Sequence, residues 1–255
     1  MASTPYVVIR GIVLRETETR EADKILTLLT DQRGKISVIA RGARRKSCRY
    51  AACAQALVYS EWTLYQKGEW YYANEGATME LFAGLRTDLD AMALGFYFAE
   101  LTEAVTTEEA PAGPLLRHLL NGLYALSTLK KPPALVKSAF ELKLLSLAGY
   151  EPLADACAYC GNEEPEEPML DVVQGVVRCK SCGGGGAAAP LCRDSLAALR
   201  RILYGDEKRL YSFRLGADAQ RRLSQAAESF ARAQLERGFR TLDFYKSLER
   251  SGDET

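Results

Sequence analysis

The sequence has very little histidine, since His118 is the only one among 255 residues. A Ser/His/Asp triad, a Cys/His pair or a multi-histidine metal site would have to include His118 or be absent. His118 lies among leucines at helical spacing, which favours a structural role for it. The scarcity of histidine leaves little room for hydrolytic chemistry, and we expect no catalytic residue.

Long apolar runs are also missing. The longest, residues 91–99, is about half of the roughly 18 residues that a membrane-spanning helix needs. The N-terminus lacks the basic start and apolar stretch of a secretory signal, so we expect a cytosolic protein. The Gly183–Gly186 tract lacks the Lys-Ser/Thr of a phosphate-binding loop. With 47% hydrophobic and 26% charged residues, the chain can bury a core in one or two domains.

The formal net charge is zero, from 33 basic and 33 acidic residues, but the charges are segregated. Residues 33–50, which we call the basic segment, contain seven basic side chains and no acidic one. A neutral protein with one concentrated cationic patch is typical of a local polyanion site. From this segment the candidate phosphate-binding residues are Lys35, Arg41, Arg44, Arg45, Lys46 and Arg49.

The first 80 residues predict a small β-barrel. Five short runs rich in β-branched and aromatic residues are separated by polar or glycine-containing turns: 6–15, 24–31, 35–41, 58–66 and 69–74. Aromatic residues in the same region could stack bases or could fill the barrel, and the sequence leaves both open: Tyr6, Tyr59, Trp62, Tyr65, Trp70, Tyr71 and Tyr72. The cations could likewise form a merely solvated loop.

Helical spacing of apolar residues follows the barrel region. It predicts helices at 89–105, 115–129, 135–147, 194–204 and 217–239, with Gly149 as a helix C-cap. Residues 151–190 differ, because they are acidic, glycine-rich and contain four cysteines.

These four cysteines form two CxxC pairs, Cys157/Cys160 and Cys179/Cys182, separated by 18 residues. The spacing predicts one structural Zn²⁺ ion held by four thiolates, with no open position for a catalytic water. Redox-active CxxC pairs or reduced buried thiols are the alternatives. Residues 169–178 can form a hairpin between the pairs. The other cysteines, Cys48, Cys53 and Cys192, are expected to be small packed side chains.

Three motifs in this order resemble the bacterial RecO family of DNA repair and recombination mediators. They are ARGARRK at 40–46, ELKLL at 141–145 continuing to GYEP at 149–152, and the two CxxC pairs. The resemblance implies an α+β multidomain protein. It would have an N-terminal OB-fold barrel at 1–80, an α-helical domain at 81–150 and 191–250, and an inserted four-cysteine zinc finger at 151–190.

The resemblance also implies a function and partners. The expected protein is a non-enzymatic mediator in the bacterial cytoplasm, associated with the nucleoid. It would bind single- and double-stranded DNA, anneal complementary strands and act with RecR to help RecA displace single-stranded-DNA-binding protein. The C-terminal tail of that binding protein would dock at Lys137, Leu142 and Lys143.

Two other classes of protein are alternatives to this function. A zinc-dependent enzyme acting on nucleic acid, such as a deaminase, needs an open ligand position and a His-x-Glu or Cys-x-Glu motif, which this sequence lacks. A zinc-containing structural adaptor would instead use the basic segment to bind an acidic protein partner.

Overall fold

The computed structural model describes residues 6–19, 22–108, 110–183 and 186–252. They form two compact units. The barrel unit comprises the described residues among 1–128 and 241–255, and the cysteine unit comprises those among 129–240. The boundaries at 80, 150 and 190 that the sequence predicts for three domains stay a prediction.

Five strands form a closed barrel in the order β1-β2-β3-β5-β4. Their bounds are Tyr6–Glu18 (β1), Lys24–Thr30 (β2), Gly34–Ala40 (β3), Tyr59–Lys67 (β4) and Trp70–Glu80 (β5). All neighbouring pairs are antiparallel except β3 and β5, which pair in parallel. This is an OB-fold barrel. The strand pattern of the sequence predicts a small barrel, and the family resemblance implies the OB-fold.

The alternation of side chains along each strand builds the barrel interior. In β3, Ile36 and Val38 are buried in the core while Lys35 and Ser37 face outward. The β1–β2 register shifts between Val13 and Arg15, which is a β-bulge that bends β1 so that it can pair with both β2 and β4. The bulge thus helps to close the barrel.

Three α-helices and a short 3₁₀ helix complete the described part of the barrel unit. A short 3₁₀ helix at Ala83–Thr87 precedes α1 (Leu89–Val105), and α2 (Gly113–Ser127) follows. The Asp88 side chain accepts a hydrogen bond from the backbone N–H of Ala91 and so caps α1. The C-terminal helix, α6 (Arg240–Gly252), lies almost wholly in this unit, where the Thr241 N–H donates to Glu100.

The cysteine unit combines helices with a small sheet. The α3 helix (Pro133–Leu147) packs against α4 (Arg193–Tyr204) and α5 (Ala217–Leu235). The sheet has the order β7-β6-β8 and contains the predicted hairpin. Its strands are β6 (Pro168–Asp171), β7 (Val176–Cys179) and β8 (Ala188–Pro190).

One helix prediction is wrong at its end. The spacing of apolar residues predicts a helix over 217–239, but α5 ends at Leu235, because Glu236 adopts a left-handed conformation with φ 50°. The separate helix α6 then begins at Arg240. Glutamate is a good helix former and gives no local sign of this break. Over the described residues, the helices are too short or too polar to pass through a bilayer.

Candidate nucleic-acid interface and metal centre

The basic segment continues from β3 into a series of turns that are fixed to the barrel. The Tyr50 hydroxyl donates to the Arg41 carbonyl oxygen at 2.6 Å, and Asp23 accepts from the Gly42 N–H at 2.7 Å. Tyr50 and Cys53 both belong to the barrel core. Burial raises the pKa of Tyr50 to about 12, so the phenol stays protonated at neutral pH. The loop that carries the cations is therefore held in place.

This anchoring leaves the predicted phosphate-binding side chains at the surface. Five of the six are exposed: Arg41, Arg44, Arg45, Lys46 and Arg49. Lys35 is partly buried, and its Nζ donates to the Glu103 carbonyl oxygen at 3.4 Å. The structure brings all six residues to β3 and the turns that follow it.

Carboxylates neutralise little of this charge. Arg44 pairs with Glu18 at 3.2 Å, where both side chains are well exposed. In the part of the chain that the structure describes, no carboxylate lies within ion-pair distance of Arg41, Arg45, Lys46 or Arg49. The cluster is thus an open positive surface, on which a polyanion can exchange places with small counterions.

The structure separates the candidate aromatic residues into two groups. Trp62 is fully buried, and Tyr71 packs against the same core, so both stabilise the barrel. The Arg33 guanidinium donates to the Tyr71 hydroxyl and lies 5.7 Å from its ring centre. In contrast, Tyr6 and Trp70 are exposed at the surface, by 61% and 44%.

The four cysteines of the CxxC pairs converge, as their spacing predicts. All four sulfur atoms lie within 4.8 Å of one another, and none of the four is in a disulfide. The Cys160 and Cys179 Sγ atoms are 3.7 Å apart. Tetrahedral zinc with Zn–S bonds of about 2.3 Å places its sulfurs about 3.8 Å apart, so the donor set fits this ion.

The surrounding backbone favours the thiolate of one of the four cysteines, Cys157. The Cys179 N–H donates to the Cys157 Sγ at 3.2 Å. Burial alone would raise the pKa of Cys157, but backbone N–H groups, led by that of Cys160, lower it to about 6. Burial raises the pKa of Cys179 to about 12, and the hydrogen bond with the Cys160 thiol raises the pKa of Cys182. Gly161 and Gly183, one after each CxxC pair, both have φ of +73°, a conformation that favours glycine. The two tight turns therefore have the residues that they need.

The three residues predicted to dock a partner tail are buried in the cysteine unit. Lys137 pairs with Glu141 at 2.9 Å and with Glu228 at 3.5 Å, and its side chain is only 4% exposed. Lys143 donates to the Leu203 carbonyl oxygen at 3.1 Å, and Leu142 is fully buried. A peptide could contact these side chains only after the contacts rearranged. Tail docking at this place stays a prediction.

Sequence reasoning did not single out which aromatic residues lie together on the barrel surface. The β4–β5 turn pairs Lys67 with Trp70, which also sets Tyr65 opposite Tyr72. The Tyr65–Tyr72 pair could be predicted from the short Lys67-Gly68 break, because the position of the turn determines which residues of two antiparallel strands are partners. The pairing of Tyr6 with Tyr65 depends on distant segments of the chain and has no such local signal.

Family comparisons agree with this architecture. Residues 2–82 match the family model described as Recombination protein O N terminal. Residues 86–243 match the model described as Recombination protein O C terminal. Together the two matches cover most of the chain, including the barrel, the helices α1 to α5 and the four cysteines.

Individual relatives are similar over most of their length, and each of the following is named DNA repair protein RecO. The protein of Acetivibrio thermocellus is 31% identical over 246 residues, covering 96% of this chain and 98% of the relative. That of Symbiobacterium thermophilum is 32% identical over 242 residues, with coverages of 93% and 96%. That of Anaeromyxobacter dehalogenans is 34% identical over 228 residues, with coverages of 88% and 89%. With both family models matched in order, the chain belongs to the RecO family.

Proposed function

We propose that this protein is a DNA repair and recombination mediator that binds single- and double-stranded DNA and anneals complementary strands. The observation that carries the proposal is the exposed, largely unpaired cation cluster on the anchored loop of the barrel. Its contacts are to phosphates, which single strands and duplexes share, so both should bind. The relatives' name supports a role in DNA repair.

Annealing follows from the same electrostatics. Two complementary strands repel each other through their phosphates, and cations that neutralise part of each strand lower this repulsion. Contacts that reach only the backbone leave the base edges available for pairing. In this function the protein consumes no cofactor and transforms no chemical group.

We assign Cys157, Cys160, Cys179 and Cys182 to a structural Zn²⁺ ion. Four thiolates fill a tetrahedral shell, and the ion would stabilise a segment whose sheet has only three short strands. The complete shell leaves no position for an activated water. This favours a non-enzymatic protein over a zinc-dependent deaminase.

The partners proposed with this function are RecR, single-stranded-DNA-binding protein through its C-terminal tail, and RecA indirectly. In cells we place the protein in the bacterial cytoplasm at the nucleoid. The family assignment supports these partners, and the contact surfaces stay open to mapping.

A strand-annealing assay with two complementary oligonucleotides tests the proposal. We expect the protein to accelerate annealing, and annealing should survive zinc chelation and leave every base unaltered. Reversal of two charges, Arg44→Glu with Arg45→Glu, should reduce both annealing and DNA affinity. Unchanged DNA affinity in that variant would contradict the proposal and favour an adaptor that binds an acidic protein.

A further inference from the structure

A row of tyrosines crosses the barrel surface. The strand register aligns Tyr6 of β1 with Tyr65 of β4, and Tyr65 with Tyr72 of β5. The rings of Tyr65 and Tyr72 stack with centres 5.2 Å apart and planes 13° apart. Tyr6 meets Tyr65 edge to face at 6.1 Å. We call Tyr6, Tyr65 and Tyr72 the tyrosine row.

The tyrosine row lies outside the barrel core. Leu64 and Ala73, which precede Tyr65 and follow Tyr72 in the chain, point inward and are buried. Tyr6 is exposed, and Tyr65 and Tyr72 are partly exposed. In the described part of the chain, none of the three hydroxyl groups forms a hydrogen bond with another residue. The parts of the rings that Arg41 and the neighbouring tyrosines leave uncovered are therefore accessible to a ligand.

The row is continuous with the basic segment. The Arg41 guanidinium carbon lies 4.9 Å from the centre of the Tyr72 ring. Because β5 lies between β3 and β4, Arg41 approaches Tyr72 from one side and Tyr65 approaches it from the other. A surface that begins with charge thus ends with aromatic rings, in the order Arg41, Tyr72, Tyr65 and Tyr6.

A single nucleic-acid strand has both features that this surface would recognise, since its phosphates are charged and the faces of its unpaired bases are accessible. We propose that the tyrosine row stacks on unpaired bases of a single strand whose phosphates bind the basic segment. This inference deepens the proposed function and rests on it. In a duplex, neighbouring base pairs cover the base faces, so the row contributes to single-strand binding alone.

The two parts of the surface should respond differently to salt and to substitution. Loss of a stacked base weakens binding by about 5- to 150-fold per position, and stacking releases no counterions. Removing rings should therefore lower single-strand affinity at every salt concentration and leave the slope of log affinity against log salt unchanged. Removing cations should make that slope shallower.

The experiment titrates three probes of equal length by fluorescence anisotropy: oligodeoxythymidylate, an abasic strand with the same phosphates, and a duplex. The test variant carries Tyr65→Leu and Tyr72→Leu, and the matched control carries Tyr65→Phe and Tyr72→Phe, which keeps both rings. We expect wild type and control to prefer oligodeoxythymidylate over the abasic strand. The leucine variant should lose this preference and keep its affinity for the abasic strand and the duplex, which also shows that it is folded.

The outcomes separate the inference from the function on which it rests. Equal wild-type affinity for the thymidylate and abasic strands would overturn the stacking inference and leave phosphate binding intact; the row would then be a candidate surface for a protein partner. Equal weakening on all three probes in the leucine variant would also overturn the inference. Failure of the proposed function would look different. In that case neither added salt nor the variant Arg45→Ala with Lys46→Ala would change the affinity for the abasic strand.

Discussion

Removal of two exposed cations, by Arg45→Ala with Lys46→Ala, tests the electrostatic basis of DNA binding. Both side chains are exposed, and neither lies within ion-pair distance of a carboxylate in the described chain. Each phosphate contact contributes about −0.7 to the slope of log affinity against log salt for single strands. Five to seven contacts in the basic segment therefore predict a wild-type slope of roughly −3.5 to −5.

The double variant should have a slope shallower by about 1.4, because it loses two contacts. At a salt concentration of about 0.1 M, this corresponds to roughly 25-fold weaker binding, and the difference should vanish as salt approaches about 1 M. The assay is a fluorescence titration of a labelled single strand at several salt concentrations. Thermal unfolding should be unchanged, since the two side chains form no ion pair within the described residues that folding would lose.

The matched control is Arg214→Ala with Arg221→Ala, which removes the same charge from exposed positions in the cysteine unit. We expect its slope to equal that of the wild type. Equal slopes for wild type and the Arg45/Lys46 variant would refute the reasoning, as would an equal change in the control.

Three further predictions concern stability and metal binding. Tyr50→Phe removes the hydrogen bond to Arg41 and should lower the free energy of unfolding by about 0.5–1.5 kcal/mol in urea. Since burial raises the pKa of Tyr50, its neutral form stabilises the wild type fully below pH 10 and loses this effect as pH rises towards 12. The loss of stability over this pH range should be smaller in the phenylalanine variant, in which only other tyrosines with raised pKa, such as Tyr211, contribute to it. Cys179→Ser should abolish the single zinc ion that elemental analysis is expected to find per wild-type chain, and retained zinc would contradict the four-thiolate site. Lys137→Met leaves the buried Glu141 carboxylate without its paired cation and should lower the free energy of unfolding by about 3–5 kcal/mol. Adding Glu141→Leu should recover most of this loss of stability. No recovery would argue against the buried pair as the cause.

Much of the barrel could be predicted from sequence, because strands with one buried face alternate visibly and glycines or polar residues interrupt them. The helix Leu89–Val105 was predicted with its observed bounds, since its apolar spacing is regular along its length. The sequence pattern predicts that β5 ends at Asn74, but the strand continues to Glu80. Apart from the exposed Met79, its last residues are small or polar and mostly exposed, so their strand conformation comes from pairing with β4 and not from burial.

The candidate sites likewise contain features that the sequence predicts and features that it does not. The cysteine cluster was predictable, because the spacing within each CxxC pair is local and the two pairs together supply the four ligands of one tetrahedral site. The contacts that bury Lys137 were not, because Glu228 is distant in sequence. The alignment of Tyr6 with Tyr65 likewise depends on how the barrel closes, which no local pattern encodes.

The most direct test of the central claim, that DNA lies on the basic segment of the barrel, is photocrosslinking. A single strand containing 5-iododeoxyuridine is bound to the full chain and irradiated, and the crosslinked peptides are identified by mass spectrometry. We expect crosslinks in peptides covering 33–50 and 59–80, which competing unlabelled DNA and high salt should abolish. Crosslinks confined to residues 129–240 would contradict the claim.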